Sequence, residues 1–523
     1  MTYIADHADN NPDKPAIITS WDNNVVTFGQ LDKRSSRLAN LISKRGVQEV
    51  SNLAMWMKNG PQFLEAAWAA QRSGKYYTPL STRLTPAEAA YIISDCDATV
   101  LVVSDELTES AVKALEILDS EYGGQENIKV KLVAGTTDYS DVFESYERLI
   151  ENEEELPKDR EKEGQDMLYS SGTTGKPKGV RLSLPQGPIG SPTPVSMVAQ
   201  GLYGMDDSSI YLSPAPLYHA APLQFTMAAL RIGATTVVMD RFDPLDFLRA
   251  IEHYKVTHTQ VVPTMMVRLA KMPREVRSQF DISSLKCMLH AAAPCPVDIK
   301  KQIIEWLGPV VYEYYAGTER NGFCAIDSNE WLTHPGSVGR SLIGKVHILD
   351  EEGNDLPPGA PGTIYFEGTM PFEYYKDPDK TASSRNKQGW TTLGDIGYLD
   401  DEGYLYLTDR KAFMIVTGGV NVYPQEAENL LITHPAVVDA AVFGIPNEEF
   451  GEEVKAVVQP TNMDEAGPEL KAALITYLKT RLADIKCPRS IDFEAELPRA
   501  PNGKLYKQQL RDRYWKGRQS KII

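Results

Sequence analysis

The first third of the chain alternates segments of helical spacing with short runs that are apolar throughout. The segment TFGQLDKRSSRLANLISKRG places its leucines on one helical face and ends at Gly46, and GPQFLEAAWAAQRSGK repeats the pattern with Gly74 as its stop. The run ATVLVVS, from Ala98 to Ser104, is continuously apolar, which is typical of a strand buried in a parallel sheet. This alternation predicts α/β layers.

The length of the chain and a change of pattern near residue 410 predict more than one domain. A chain of 523 residues is too long for a single hydrophobic core. Before the change, ATTVVM and THTQVVP indicate further buried strands; after it, PQEAENLLITHP and PELKAALITYLKTRLAD predict helices, and VVDAAVFGIP and EEVKAVVQP predict strands. We expect a large N-terminal α/β domain over 1–410 and a small C-terminal α+β domain over 411–523.

The charge balance of the chain argues against nucleic acid and anionic membranes as partners. The chain has 54 Lys and Arg against 71 Asp and Glu, a net charge of −17, so both partners would repel it. Its five cysteines form no CxxC pair, which predicts neither a zinc site nor a disulfide framework and suits a reducing compartment. No targeting signal or membrane-spanning run is evident, so we expect a cytoplasmic protein without an integral membrane segment.

The segment ENEEELPKDREKEGQD, residues 151–166, concentrates charged residues of both signs. Such a stretch is ordinarily a solvated loop or the exposed surface of a helix. We therefore expect its acidic side chains to face water.

The segment YSSGTTGKPKGV, residues 169–180, combines glycines, hydroxyl side chains and lysines. It is not a Walker A loop, because Gly172 and Gly175 are too close together and Pro177 follows Lys176. Glycines nevertheless let a backbone approach an anion, and hydroxyls and lysine can bind phosphate oxygens. Composition alone also suits a plain loop. The phosphate-binding candidates are Ser170, Ser171, Gly172, Thr173, Thr174, Gly175 and Lys178.

The complete string YSSGTTGKPKG resembles the signature of the adenylate-forming superfamily, which includes acyl-CoA synthetases, luciferases and peptide-synthetase adenylation domains. Further motifs follow in the order of that family. PLYHAAP resembles its gating-histidine segment, and HAAAP and YEYYAGTE resemble its adenine pocket. GWTTLGDIGYLDDEGYLYLTDR resembles its ribose-binding and hinge segment, and PRAPNGK its catalytic-lysine motif. The resemblance covers nearly the whole chain, and it implies an N-terminal domain of several subdomains with a mobile C-terminal lid.

This resemblance implies a reaction in two halves. A carboxylate attacks the α-phosphate of ATP to give an acyl-adenylate and pyrophosphate, and a thiol, usually that of coenzyme A, then displaces AMP. Such chemistry depends on positioning and positive charge more than on covalent help from the protein. The expected ligands are therefore ATP, Mg²⁺, coenzyme A and a small-molecule carboxylic acid.

The adenine motif supplies the next candidates. Under the resemblance, Thr318 contacts the α-phosphate and Glu319 holds Mg²⁺ through its oxygens. Tyr315 stacks on adenine, since a flat ring offers dispersion contact to a flat base. Tyr314 belongs to the same pocket or packs in the core. Glu313 either accepts a hydrogen bond from the adenine amino group or has a structural role.

The wall of the pocket and the ribose contacts come from two other motifs. The resemblance assigns Ala292, Ala293 and Pro294 to the wall. Asp395 would accept hydrogen bonds from the ribose hydroxyls, because a carboxylate is an acceptor only, and Arg410 would donate to them.

The C-terminal candidates serve the two halves of the reaction in turn. Lys504 would offset negative charge in the transition state of adenylation. After rotation of the small domain, Gly418 and Gly419 would allow close passage of the pantetheine arm of coenzyme A. The pivot falls at Ala412, where related enzymes often carry Asp or Lys, so the energetics of the rotation stay open.

Three residues leave alternatives open. His219 either lines the junction of acyl pocket and adenylate or is a core histidine. Ala316 replaces a usual glycine and would tighten the floor of the pocket. Arg320 follows Glu319 where a small residue is common, and it could pair with Glu319, face solvent or contact substrate.

The motifs favour an ATP-dependent acyl-CoA synthetase acting on a fatty or bulky hydrophobic acid, with an aryl acid as the alternative. An acyl-AMP ligase that delivers to a carrier protein is a second alternative. A silent adenylate-binding protein is a third, which the presence of Lys504, Glu319 and Asp395 disfavours. The oligomeric state is open, and a homodimer would be unsurprising.

Overall fold

A computed structural model of the protein describes residues 2–48, 50–135, 141–170, 177–410, 413–417, 420–447, 450–499 and 505–515. The chain divides into two compact units. Unit 1 contains Met1–Gln260, Arg274–Met288 and Pro371–Thr381. Unit 2 contains Val261–Pro273, Leu289–Met370 and Ala382–Ile523. The predicted division at residue 410 stays a prediction.

The α-helices of the described residues range from one turn to about five turns. They are α1 Ile4–Asn10, α2 Phe28–Lys44, α3 Pro61–Arg72, α4 Pro86–Asp95, α5 Thr108–Glu121, α6 Tyr146–Asn152, α7 Pro194–Gly201, α8 Ala220–Ile232, α9 Pro244–Tyr254, α10 Pro263–Ala270, α11 Arg274–Arg277, α12 Val297–Leu307, α13 Ser328–Thr333, α14 Pro378–Ser383, α15 Pro424–Thr433, α16 Pro468–Lys479 and α17 Lys507–Trp515.

The strands are mostly short. They are β1 Pro15–Thr19, β2 Val25–Thr27, β3 Asn52–Trp56, β4 Tyr76–Pro79, β5 Ala98–Ser104, β6 Val130–Ala134, β7 Glu144–Ser145, β8 Gln165–Asp166, β9 Leu168–Ser170, β10 Lys178–Arg181, β11 Ile210–Ser213, β12 Thr235–Val238, β13 His258–Val261, β14 Cys287–His290, β15 Val311–Tyr315, β16 Phe323–Ile326, β17 Arg340–Ile343, β18 Lys345–Leu349, β19 Gly362–Glu367, β20 Glu373–Tyr374, β21 Asp395–Leu399, β22 Leu405–Arg410, β23 Ile415–Thr417, β24 Val420–Val422, β25 Val437–Asn447, β26 Gly451–Pro460 and β27 Ser490–Phe493.

Unit 1 is built around parallel strands, as the sequence predicts. Strands β7, β6, β5, β3, β4 and β8 form one parallel sheet in that order. Strands β13, β11, β12 and β1 form a second parallel ladder, which β2 extends in the antiparallel direction. The predicted strand ATVLVVS is β5, and its apolar residues lie in a core between the sheet and its helices. The α/β prediction is therefore confirmed for this unit.

Helix α2 shows how local sequence sets the boundaries of an element. The Thr27 hydroxyl accepts a hydrogen bond from the Gln30 backbone N–H, and the Gln30 side chain accepts one from the Thr27 N–H. This capping box satisfies backbone donors that have no partner within the helix, and such an N-cap contributes about 1 kcal/mol. Gly46 follows the helix with φ of 71°, a conformation that favours glycine.

The prediction that the charged segment 151–166 is a solvated surface is wrong at three acidic residues, Glu161, Glu163 and Asp166, the last of which is buried in β8. Glu161 forms an ion pair with Arg72 of α3, and Glu163 forms one with Arg231 of α8; all four side chains are buried. Removing one partner of such a pair costs about 3–5 kcal/mol, because it leaves a buried charge without compensation. The segment therefore forms ion pairs with two helices, α3 and α8, that are far apart in the sequence.

Unit 2 contains two further sheets, both built mainly from antiparallel strands. Strands β18, β19, β21 and β22 form an antiparallel meander. Strands β24, β23, β26 and β25 form an antiparallel sheet that β27 extends in parallel. Helices α15 and α16 contribute apolar residues to the core against the second sheet, and the helices and strands predicted after residue 410 are confirmed.

Among the described residues, no helix has both the length and the apolar character needed to cross a bilayer.

Candidate active site

In unit 1 the two ends of the candidate phosphate-binding segment, Ser170 and Lys178, lie on paired strands. Strands β9 and β10 pair antiparallel, so that Ser170 lies opposite Lys178 and Tyr169 lies opposite Gly179. A Cβ atom at Gly179 would lie 2.7 Å from Cε of Met167 and 3.0 Å from Cζ of Tyr169. A larger residue at this position would therefore require the Met167 and Tyr169 side chains to move.

Lys178 has a partner within the same unit. Its Nζ atom lies 2.6 Å from Oδ2 of Asp377, and both side chains are partly exposed. The hydrogen bond to Asp377 raises the pKa of Lys178, so the side chain carries a full positive charge at neutral pH. An incoming phosphate would therefore compete with Asp377 for this ammonium group.

His219 lies directly before α8, at the N-cap position of that helix. Its ring is tilted against that of Tyr218, with the two centroids 4.6 Å apart. The residue is half-buried, which suits either a pocket wall or a packing role.

In unit 2, strand β15 and the turn after it carry the adenine motif. The ring of Tyr314 is buried and stacks on Phe323 with centroids 5.4 Å apart, which places Tyr314 in the packed interior. Tyr315 is half-buried, and its hydroxyl donates a hydrogen bond of 2.6 Å to Oδ2 of Asp395. The ring and the carboxylate that sequence analysis assigns to adenine and ribose are therefore in direct contact.

Asp395 and Arg410 occupy facing positions on neighbouring strands. Asp395 is the first residue of β21, Arg410 is the last of β22, and the two are directly paired in the antiparallel register. Asp395 is buried. The hairpin thus brings together two candidates that are separated by a 15-residue interval of sequence.

The turn that contains Glu319 also carries a residue that sequence analysis missed. A Cβ atom at Gly317 would lie 2.9 Å from Oε2 of Glu319 and 3.2 Å from Oδ1 of Asn321, so both oxygens lie over the same glycine. Asn321 is only 1% exposed, and within the described part of the chain neither its Oδ1 nor its Nδ2 atom has a hydrogen-bond partner. The only signal in the sequence was an amide two residues beyond the motif glutamate.

Two residues near these candidates have left-handed backbone conformations. Ala292 has φ of 76° and Arg320 has φ of 53°. Residues other than glycine adopt this region at a cost, and such positions concentrate at functional sites. Ala292 is exposed, whereas the neighbouring Ala293 and Pro294 are half-buried. Thr318 and Arg320 are also half-buried.

Glu313 is held by a lysine that sequence analysis did not identify. The Nζ atom of Lys300, on α12, lies 2.5 Å from Oε2 of Glu313, and both side chains are buried. The Nε2 atom of His290 lies 3.5 Å from the same oxygen. Burial raises the pKa of Glu313, and the Lys300 ammonium opposes that rise.

Several candidates lie outside the described residues. These are Ser171, Gly172, Thr173, Thr174, Gly175, Ala412, Gly418, Gly419 and Lys504, and their roles stay predictions.

The family of the chain follows from comparison with known proteins. Residues 4–376 match the family model of the AMP-binding enzyme, and residues 426–504 match that of the AMP-binding enzyme C-terminal domain. The chain therefore belongs to the family of AMP-binding enzymes, the adenylate-forming superfamily that its motifs resemble.

Similar proteins cover nearly the whole chain. A feruloyl-CoA synthase of Amycolatopsis sp is 32% identical over 502 residues, 94% of each chain. An indoleacetate–CoA ligase of Aromatoleum aromaticum is 32% identical over 517 residues, 97% of each chain. The crystal structure of ATP-bound MatB from Rhodopseudomonas palustris matches with a TM-score of 0.80 and 27% identity, covering 98% of both chains.

These comparisons confirm the predicted fold class, with a large N-terminal α/β domain and a small C-terminal domain. They also confirm that the protein is an enzyme, an acid–thiol ligase of the AMP-forming type.

Proposed function

We propose that this enzyme activates an aromatic carboxylic acid with ATP and transfers the acyl group to coenzyme A. The observation that carries the nucleotide part is the contact between Tyr315 and Asp395, which joins a ring able to stack on adenine to a carboxylate able to accept from ribose. The aromatic acid is supported by the two ligases that resemble this chain from end to end, since their names specify feruloyl and indoleacetate substrates.

In the first half-reaction, a carboxylate oxygen forms a bond to the α-phosphorus of ATP. The bond from that phosphorus to the bridging oxygen breaks, and pyrophosphate leaves with the electron pair. Thr318 is proposed to donate to an α-phosphate oxygen, and Lys504 to offset the charge that develops there. In the second half-reaction, the thiol sulfur of coenzyme A attacks the acyl carbon, loses its proton, and AMP leaves.

The residues around Gly317 fit a magnesium ion. Mg²⁺ prefers oxygen ligands and retains several waters, so one carboxylate with one amide oxygen is a suitable protein contribution. Glu319 and Asn321 are proposed to hold the ion through Oε2 and Oδ1, which lie over the same glycine. When bound, Mg²⁺ supplies positive charge to the phosphate oxygens.

The other proposed contacts follow the motifs. Ser170 and Lys178 are proposed to bind the β- and γ-phosphates together with the intervening residues. Arg410 is proposed to donate to the ribose hydroxyls from its position opposite Asp395. His219 is proposed to line the acyl site.

Pyrophosphate release across matched acids tests the proposal. The panel pairs ferulate, indole-3-acetate and benzoate with hexanoate, dodecanoate and a sterol side-chain acid, each with and without coenzyme A. We expect turnover that requires coenzyme A and is fastest with an aromatic acid. A preference for dodecanoate or the sterol acid would overturn the aromatic assignment in favour of a fatty or bulky hydrophobic substrate.

Two other outcomes would contradict the proposal. Pyrophosphate release could be slow and independent of coenzyme A, with acyl-adenylate retained on the enzyme. That result would indicate delivery of the acyl group to a carrier protein. No release with any acid of the panel would overturn the proposed substrate class. Lys504→Ala serves as the internal control, because it should abolish adenylation while leaving thioester formation from supplied acyl-adenylate.

A further inference from the structure

The buried charges next to the adenine motif form a compact group in unit 2. The side chain of Lys300 is 0% exposed and that of Glu313 is 7% exposed, and their charged atoms are 2.5 Å apart. The Lys300 ammonium also lies 4.7 Å from the centre of the Trp331 ring. His290, whose side chain is 0% exposed, completes the group at 3.5 Å from Glu313.

Lys300, and not His290, is the counter-charge of Glu313. Burial and the neighbouring Lys300 lower the pKa of His290 well below its usual value, so the imidazole is neutral. A buried carboxylate without a cation would bind a proton, because removing its charge from water is expensive. The ammonium at 2.5 Å favours the ionised form of Glu313, against the rise in its pKa that burial causes.

The pairing also leaves part of the carboxylate available. Lys300 and His290 both approach Oε2 of Glu313, and within the described residues no hydrogen bond is made by Oε1. Glu313 and Tyr315 are two residues apart on β15, so their side chains leave the strand on the same face. The Tyr315 ring, which is proposed to stack on adenine, therefore lies on the same face of β15 as the Glu313 carboxylate.

We propose that Lys300 is a positioning residue that keeps Glu313 as an obligate hydrogen-bond acceptor, and that this selects adenine over 6-oxopurines. This inference rests on the proposed function, in which Tyr315 stacks on the adenine of ATP. Adenine carries an amino group at position 6, which donates to a carboxylate. Hypoxanthine carries a carbonyl oxygen there, and an ionised carboxylate repels it because both groups only accept.

The consequence of removing Lys300 follows from the same chemistry. In Lys300→Met, Glu313 is left in a dry site without a cation and takes up a proton. A protonated carboxyl can donate to the carbonyl oxygen of hypoxanthine. In Glu313→Gln, the side chain is neutral from the start and can accept through its oxygen or donate through its nitrogen, so its selectivity should no longer depend on Lys300.

The experiment measures the dissociation constants of ATP and ITP by calorimetry, without acid or coenzyme A. It uses the full-length enzyme and the variants Lys300→Met, Glu313→Gln and Lys300→Met/Glu313→Gln. We expect the ITP-to-ATP ratio of dissociation constants to fall by about tenfold in Lys300→Met. In this variant the repulsion between Glu313 and the carbonyl oxygen of ITP is replaced by a hydrogen bond. We expect the double variant to match Glu313→Gln. Lys301→Met, an exposed lysine on the same helix, is the matched control and should leave the ratio unchanged.

The outcomes separate this inference from the proposed function. If folded Lys300→Met has the same ITP-to-ATP ratio of dissociation constants as the unmodified enzyme, the inference is overturned. The proposed function is not affected by that result. If Lys300→Met does not fold, the double variant and Lys300→Arg decide. The inference requires the double variant to match Glu313→Gln and Lys300→Arg to retain the original ratio. Failure of the unmodified enzyme to bind ATP would overturn the proposed function itself.

Discussion

The hydroxyl of Tyr315 donates a hydrogen bond of 2.6 Å to Oδ2 of Asp395, across 80 residues of sequence. The bond engages one oxygen of the Asp395 carboxylate. It also fixes the orientation of a ring proposed to stack on adenine. Because each residue holds the other in place, we expect a substitution of Tyr315 or of Asp395 to alter nucleotide binding by displacing its partner.

Tyr315→Phe removes this hydrogen bond and keeps the ring. A hydrogen bond to a charged group contributes about 1.5–3 kcal/mol, and because this bond also forms without ATP, that energy sets an upper limit of roughly hundredfold on the expected rise in the KM for ATP. Tyr315→Leu should weaken ATP binding further, because the ring is also lost. The measurement is ATP-dependent pyrophosphate exchange with the preferred acid. An unchanged KM for ATP in Tyr315→Phe would show that the contact does not order the site.

Asn321→Ala removes the amide beside Glu319 that has no hydrogen-bond partner among the residues the structure describes. We expect the Mg²⁺ concentration needed for half-maximal ATP binding to rise by about five- to tenfold, since one oxygen donor is lost while the carboxylate remains. Calorimetric titration of Mg²⁺ against the enzyme with ATP gives this value directly. Asn329→Ala, an exposed amide on α13, is the control. Equal Mg²⁺ dependence in the two variants would remove Asn321 from the proposed ion site.

Asp377→Asn releases Lys178 from its ion pair without removing the lysine. If Lys178 binds phosphate, the loss of a competing carboxylate should strengthen ATP binding by a factor of about two to five, because partly exposed pairs are worth less than about 1 kcal/mol. Lys178→Met should weaken binding instead. The dissociation constants of ATP and of AMP show whether Lys178 binds the β- and γ-phosphates, since only ATP carries them. Parallel changes for both nucleotides would argue against contact with those phosphates.

His290 predicts a specific loss of stability in acid. Its pKa is lowered well below the usual value in the folded protein, so below a pH of about 6.5 the unfolded chain binds a proton that the folded protein does not. The free energy of unfolding should therefore fall, through this group, by about 1.4 kcal/mol for each pH unit below 6.5. Above that pH the contribution disappears.

His290→Gln isolates this effect. The variant should lose less stability than the unmodified protein between pH 6.5 and 5, although other groups still titrate. Urea unfolding at each pH supplies the comparison. Identical pH dependence in the two proteins would show that His290 does not remain neutral in the fold.

The sequence predicted the parallel strands, the helix boundaries and the order of the motifs, because these depend on local periodicity and on short strings. Gly46 is an example, since the glycine that ends α2 acts within a few residues of it. Pairings between distant residues were not predictable in this way. Lys300 sits on a helix that looks ordinary in the sequence, and only the fold brings it to Glu313.

The same limit explains the error at the charged segment 151–166. Its composition is that of a solvated loop, and the buried arginines that pair with Glu161 and Glu163 lie on α3 and α8. Asn321 was missed for a different reason. Its burial without a described partner is a property of the folded turn and has no counterpart in spacing or composition.

The close packing of Gly179 against Met167 and Tyr169 has a consequence for how this protein can evolve. Any larger residue at position 179 meets both side chains at once, so it becomes acceptable only if both have first become smaller or moved. We therefore expect a larger residue at position 179 to occur together with smaller or displaced side chains at positions 167 and 169, whereas a smaller residue at either of those positions alone meets no such clash. This direction of change follows from the packing around β10, whichever acid the enzyme activates.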